Sequence, residues 1–173
     1  MAIRDVSAIR VKNDYEMMKN MKGKVIDFTV DDEDNPRNYV ITFHIHSIIG
    51  EDSAGKPIYR DVHTVDLQLP SDYPQSPPRG KMRERPQPYH VNWYSDGAWC
   101  YGHWEISEPL WSYVRRMART LQFAPEYTNA GSRANRSDEV LAFWNKSSNK
   151  KLFPCDKQEL PTGDRKKSRI IIH

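Results

Sequence analysis

The sequence predicts an α+β domain: an N-terminal helix, an antiparallel four-stranded meander, a proline-rich crossing segment, a loop carrying a cysteine, and C-terminal helices. Three observations predict it. Apolar residues recur at three- and four-residue spacing near the start and again after Pro109. Apolar and polar residues alternate strictly in the stretch that follows the first helix. Pro70, Pro74, Pro77, Pro78, Pro86 and Pro88 then forbid a regular helix or central strand over residues 70–88.

The elements follow in order. Ser7 can cap a helix running to about Met21, with Ala8, Val11, Tyr15 and Met18 as its apolar stripe. Arg10, Lys12, Asn13, Lys19 and Asn20 fall on the opposite face, and Gly23 ends the helix. A strand is predicted over 25–30, broken by an acidic loop with Asn35-Pro36. Residues 39–49 give the strongest strand signal, with Tyr39, Ile41, Phe43 and Ile45 alternating with Thr42, His44 and His46. A hairpin loop over 50–57 contains Gly55, and the return strand 62–69 faces Val65, Leu67 and Leu69 inward. A short strand is predicted near 80–82. Residues 89–106 hold Trp93, Tyr94, Trp99, Tyr101 and Trp104 without a period, so they read as a packed, irregular loop.

Pro109 opens a helix to about Phe123, with Val114, Met117, Ala118 and Leu121 buried, and Pro125 stops it. Residues 127–136 are polar and read as a loop. Ser137 can cap a last helix through Trp144, anchored by Val140, Leu141, Phe143 and Trp144. The expected division is a domain over 1–146 and a basic, proline-containing tail over 147–173, lying on the surface or ordering on a partner. In that tail, Arg165 to Arg169 precede an Ile170-Ile171-Ile172 triplet, read either as solvated or as a strand that adds to a partner.

A chain of 173 residues suits one domain with a real core. Two cysteines argue for a reducing compartment and against a disulfide scaffold. No apolar run approaches membrane-spanning length and the start lacks a signal core, so the expected location is cytoplasmic. A net charge of +3 from 26 basic and 23 acidic residues is too balanced to imply nucleic-acid binding.

The chemistry centres on Cys100. Asn92 lies eight residues before it, His90 two before Asn92, and Gly97 marks a turn between. A cysteine can carry an acyl group as a thioester, and a nearby asparagine amide can donate to the oxyanion formed when that thioester is attacked. Taken singly, a cysteine among aromatics reads as a small buried hydrophobe and Asn92 as a turn residue. His44 and His46 share one strand face, with His63 on the paired strand, but no acidic or cysteine partner completes a metal site. Cys100 and His103 have ligand-like spacing without a second pair, so no metal is expected. Cys155 reads as a free thiol.

The segment Leu69-Pro70-Ser71-Asp72-Tyr73-Pro74-Gln75-Ser76-Pro77-Pro78 resembles the one after the third strand of ubiquitin-conjugating enzymes. His90-Val91-Asn92 is similar to that family's His-Pro-Asn, and the interval from Asn92 to Cys100 equals the family's interval to its catalytic cysteine. Ser95, Asp96 and Gly97 resemble the turn before it, and the element order agrees over residues 7–144. The chain departs from the pattern at Val91, at Tyr101-Gly102 and in lacking Trp-Ser-Pro before the next helix, whose place Trp104 and Trp111 contest. These departures resemble the divergent prokaryotic ubiquitin-conjugating-like proteins, some of which act in anti-phage defence.

The resemblance implies a conjugating enzyme. Cys100 takes a ubiquitin-like protein as a thioester from an activating enzyme and passes it to an amine, usually lysine, of a target protein. It implies that Asn92 supports the oxyanion or the loop, and that His90 braces the loop and is not a general base. Tyr94, with Asn129 and Ser132, lines the acceptor channel. Pro70, Tyr73, Pro74, Pro77 and Pro78 shape the crossing segment. The activating enzyme meets the first-helix face bearing Arg10, Lys12 and Lys19. The protein itself needs no metal or organic cofactor, ATP being used upstream. Two alternatives are a non-catalytic protein of the same fold that binds a ubiquitin-like protein or scaffolds a complex, and a cysteine hydrolase using His90 or His103.

Overall fold

The computed structural model describes residues 3–127, 137–146 and 148–164. Its first helix, α1 (Ile3–Lys19), buries Ser7, Val11, Asp14 and Met18. This stripe is offset from the expected one: Ala8 is exposed and Tyr15 only half-buried. The cause is that two polar residues on the buried face have partners. Ser7 does not cap the helix; it sits inside it, and its hydroxyl donates to the Tyr73 carbonyl at 2.5 Å and accepts from Arg37 at 3.0 Å. Counting apolar residues alone selects the neighbouring face. Gly23 lies in the turn beyond the helix end, donating to the Ile26 carbonyl at 2.8 Å.

The strands β1 (Ile26–Val30), β2 (Asn38–Glu51), β3 (Pro57–Gln68) and β4 (Arg79–Met82) form one antiparallel sheet in the order β1-β2-β3-β4. The register pairs Ile26 with Phe43, Ile41 with Val65 and Leu67 with Gly80. Period-two alternation sends Tyr39, Ile41, Phe43, Ile45, Val65 and Leu67 to one face, where they pack with Val11 and Met18 of α1. Each such burial contributes roughly 1.5–3 kcal/mol.

β2 and β3 extend beyond the expected strands because register shifts at 44–47 and 48–50 let pairing continue to the hairpin. Gly55 turns that hairpin with φ +74°. His44 and His46 are exposed, with His46 stacked on Tyr59 and paired with Asp61 at 2.5 Å. His63 is wholly buried, with Nε2 2.9 Å from the Arg60 carbonyl and 3.0 Å from that of Ile45. Burial, then the Arg60 charge, pull its pKa down to about 4, so it is a neutral core residue. Among the described residues no three His, Cys, Asp or Glu side chains gather as metal ligands.

The second helix, α2 (Leu110–Leu121), buries Leu110, Tyr113, Val114, Met117, Ala118 and Leu121 against the sheet. It approaches β4 closely: a β-carbon on Gly80 would lie 2.6 Å from the Met117 methyl. The last helix, α3 (Asp138–Asn145), starts at Ser137, whose side chain accepts from the Val140 amide at 3.4 Å. Val140, Phe143 and Trp144 anchor it in a second core with Ile48, Val91 and Phe123; Leu141 is only half-buried.

Residues 148–164, expected as a surface or partner-dependent tail, are packed onto the domain. Asp156 accepts from the His46 amide, left over at the β2 bulge, at 2.9 Å, and from the Gln122 side chain at 3.1 Å. Gln158 donates to the His44 carbonyl at 2.9 Å, Asn20 to that of Gly163 at 2.9 Å, and Gly163 lies against the Trp111 ring. A polar segment is held because it satisfies backbone groups that a bulge strands. The basic run and isoleucine triplet at 165–172 lie outside the described residues. No helix among the described residues is long and apolar enough to cross a membrane.

Candidate active site

The loop that carries Cys100 contains a hairpin. Trp93 and Trp99 pair antiparallel, the Tyr94 amide donates to the Ala98 carbonyl at 2.9 Å, and the Gly97 amide to that of Tyr94 at 2.9 Å. Pairing 93 with 99 makes Asn92 the cross-strand partner of Cys100, and the Cys100 amide donates to the Asn92 carbonyl at 2.7 Å. The eight-residue interval is therefore the reach of a hairpin across one tight turn. Both tryptophans are buried, and the Trp93 indole donates to the Thr120 hydroxyl of α2 at 3.2 Å. The returning arm pairs with β4, the Met82 amide donating to Gly97 at 2.8 Å and the Trp99 amide to Gly80 at 3.1 Å. Cys100 is thus tied to the sheet and to α2 rather than left on a mobile loop.

Gly97 makes the turn at φ +89°, where a β-carbon would meet the Arg85 guanidinium at 2.6 Å and the Met82 carbonyl at 2.8 Å. Gly97→Ala should cost about 2 kcal/mol of stability, from the left-handed backbone and the crowding. Urea denaturation checks it; a loss under ~0.5 kcal/mol would mean that the turn relaxes freely.

Asn92 donates its side-chain amide to the Cys100 carbonyl at 3.0 Å, so in this state it holds the backbone of the cysteine. The Tyr94 phenol is 37% exposed and hydrogen-bonds the Cys100 side chain, which raises the Tyr94 pKa, with burial adding to the effect. His90 is fully buried, and its Nδ1 accepts from the Asn92 amide at 3.0 Å. Its ring lies edge to face with Phe123 and Trp144, and burial depresses its pKa to about 3. One ring nitrogen is bound to the loop backbone, and burial disfavours the protonated imidazole. Val91 fills the second core beside it. His103 is exposed and paired with Glu105 at 2.5 Å. Asn129 and Ser132 lie outside the described residues.

The crossing segment ties this loop to the helices. Tyr73, Pro74 and Pro78 are buried, and Pro70 and Pro77 are partly covered. The Tyr73 hydroxyl donates to Asp14 at 2.6 Å, the Trp104 indole to the Pro74 carbonyl at 2.9 Å, and the Tyr113 hydroxyl to the Pro78 carbonyl at 2.7 Å. Trp104 packs on Tyr73 and Tyr113. On α1, Lys12 and Lys19 are exposed, Lys19 pairing with Glu16 at 2.8 Å. Arg10, read from sequence as part of that open basic face, is instead half-buried. It binds Asp14 at 2.7 Å, the Ile106 carbonyl at 2.6 Å and the Glu108 carbonyl.

Sequence reasoning passed over Arg116, a cation on the α2 surface between the buried Tyr113 and Met117. Its guanidinium donates to the Tyr101 carbonyl at 2.6 Å and the His103 carbonyl at 3.2 Å, just downstream of Cys100, and pairs with Glu108 at 2.8 Å. An arginine one position from a buried methionine on an amphipathic helix, seven residues after the proline that opens it, was the available signal. Cys155 is the other thiol, donating weakly to the Gln122 carbonyl at 3.4 Å; burial pushes its pKa up to about 12. No disulfide joins it to Cys100.

Neither the known family models nor the curated proteins give any match to the sequence. Solved structures do match. The human ubiquitin-conjugating enzyme E2 G1 is 15% identical with a TM-score of 0.51, the match covering 70% of this chain and 97% of that one. A ubiquitin conjugating enzyme E2 of Plasmodium vivax is 18% identical with a TM-score of 0.48, covering 65% of this chain and 98% of that one. At such identities the likeness is one of fold.

Proposed function

We propose, from the ubiquitin-conjugating fold shared with the human enzyme, that this protein is a conjugating enzyme. In this reading it carries a ubiquitin-like protein as a thioester on Cys100 and transfers it to an amine, usually lysine, of a target. One observation carries the reading: a hairpin pinned to the sheet and to α2 sets Asn92 directly across from Cys100, with the Tyr94 phenol on the cysteine side chain.

The chemistry is two acyl transfers. The Cys100 thiolate attacks the thioester carbonyl on the activating enzyme, a new C–S bond forms, and the activating enzyme's thiolate leaves. A neutral amine then attacks the Cys100 thioester. The oxyanion collapses, the C–S bond breaks, and an amide forms while the amine proton passes to solvent or to the departing thiolate. Asn92 carries two amide hydrogens, one of them on the Cys100 carbonyl, leaving a donor for the oxyanion. Tyr94 supports the sulfur as it gains and loses charge. His90, neutral and engaged with the Asn92 amide, adds no base that would activate water against the thioester. That supports a carrier over a cysteine hydrolase.

The partners in this reading are an activating enzyme, a ubiquitin-like protein and a target. Lys12 and Lys19 offer exposed charge on α1 for the first; Arg10 is spent internally. The test incubates the protein with pairs of an activating enzyme and its ubiquitin-like protein and ATP, and runs a non-reducing gel. A thiol-sensitive adduct should form and vanish in Cys100→Ala. Its absence with every pair tried would favour a non-catalytic binder, and rapid release of free modifier would favour a hydrolase.

A further inference from the structure

We propose that Arg116 is the positioning residue that fixes the chain downstream of Cys100, acting on the thiol through the backbone and touching no substrate. The proposal rests on the conjugating-enzyme reading for its catalytic consequence but not for its structural one.

After the hairpin ends at Cys100, the chain runs through 101–109 without a strand or helix. In its middle, Gly102 takes φ +74° with no atom within 4 Å of where a β-carbon would stand. Nothing local holds that pivot. The carbonyls on either side of it, Tyr101 and His103, both point at one guanidinium, at 2.6 Å and 3.2 Å. A left-handed glycine flanked by two carbonyls that converge on one cation is a bend clamped from outside.

Arg116 is itself well held. Glu108 binds it through both carboxylate oxygens, at 2.8 Å to Nε and 2.9 Å to the terminal nitrogen. Its guanidinium lies over the Trp99 ring at 5.6 Å and the Tyr113 ring at 5.4 Å. Burial works against its charge, and the Glu108 partnership outweighs it, so its pKa is raised. Glu108 is gripped from the other side as well, its carbonyl accepting from Arg10 of α1. One planar fork therefore serves a carboxylate and two carbonyls while stacking beside the tryptophan that precedes Cys100. A lysine ammonium lacks that geometry.

The test is Arg116→Lys, with Glu108→Gln as the milder variant that leaves the arginine in place. Hydrogen exchange at the Cys100 amide, which bonds Asn92 across the hairpin, should rise about 10-fold in Arg116→Lys and less in Glu108→Gln, with exchange at Ile41 in β2 unchanged. In discharge of the thioester to free lysine, the maximal rate should fall about 10-fold at unchanged half-saturating lysine, as misplacement of a reacting group predicts.

Exchange that rises equally at Ile41 would make Arg116 a general stability residue and overturn the proposal, as would unchanged exchange at Cys100. If Arg116→Lys does not fold, Glu108→Gln decides by the same two amides. Should the wild type form no thioester, the conjugating reading fails while the exchange experiment still decides the role of Arg116.

Discussion

On the proposed conjugating role, Asn92→Ala is expected to slow discharge of the Cys100 thioester to amines about 100-fold, the size of losing one oxyanion donor. Loading should suffer several-fold at most. The asymmetry follows from the two nucleophiles. Loading exchanges one thioester for another by thiolate attack, between partners of equal leaving ability. Discharge asks a neutral amine to raise full negative charge on the carbonyl oxygen, so it depends more on a donor placed there beforehand. Asn92 is the side chain already within 3.0 Å of the Cys100 backbone, and its second amide hydrogen is the donor available. Single-turnover chases with free lysine, beside loading time courses on non-reducing gels, separate the steps. Equal losses in both would assign Asn92 to holding the loop, since the variant also strands the Cys100 carbonyl. Discharge within about two-fold of wild type would remove Asn92 from the chemistry altogether.

Much of this architecture was legible because its periods are strong. Tyr39, Ile41, Phe43 and Ile45 alternate without interruption and all lie on the core face. Val114, Met117, Ala118 and Leu121 repeat at helical spacing and all are buried. The Asn92–Cys100 interval was legible for a different reason: a hairpin fixes which residues face each other, so spacing maps onto distance.

What escaped was polar burial. A stripe read from apolar residues alone, Ala8, Val11, Tyr15 and Met18, places Ala8 inside, whereas the helix buries Ser7 and Asp14 and exposes Ala8. Both are paid for by partners far along the chain, Tyr73, Arg37 and Leu110, which local patterns do not reveal. The same blindness concealed Arg116, two of whose acceptors are backbone carbonyls with no identity in sequence. It also concealed the 148–164 segment, whose polar contacts run to the bulged His46 amide, the His44 carbonyl and the Gln122 and Asn20 side chains.

Asp14→Ala should destabilise the protein by about 3–5 kcal/mol, the range for breaking a buried charge pair. The carboxylate has no exposed surface. One oxygen takes the Arg10 Nε at 2.7 Å and the Tyr73 hydroxyl at 2.6 Å; the other takes the Leu110 amide at 3.0 Å. That last bond gives it a second task. α2 begins after Pro109, which has no side chain to cap the helix, so a carboxylate from α1 satisfies the first amide and sits at the positive end of the dipole. Alanine strands three donors and leaves the Arg10 charge, only 20% exposed, without its anion. Domains of this size are stable by only about 5–15 kcal/mol, so the variant should unfold at markedly lower urea. Arg10→Met with Asp14→Leu should recover most of the loss, because removing both charges leaves no unpaired ion. The Leu110 amide and the Tyr73 hydroxyl stay orphaned in that double variant, so a loss of about 1–2 kcal/mol should persist. A loss below about 1 kcal/mol in Asp14→Ala would show that water replaces the carboxylate at this junction, and a double variant as unstable as the single one would assign the loss to the orphaned donors rather than to the unpaired Arg10 charge. Because Arg10 also holds the Ile106 and Glu108 carbonyls, the same single variant should loosen the segment between Cys100 and α2 even where the protein stays folded.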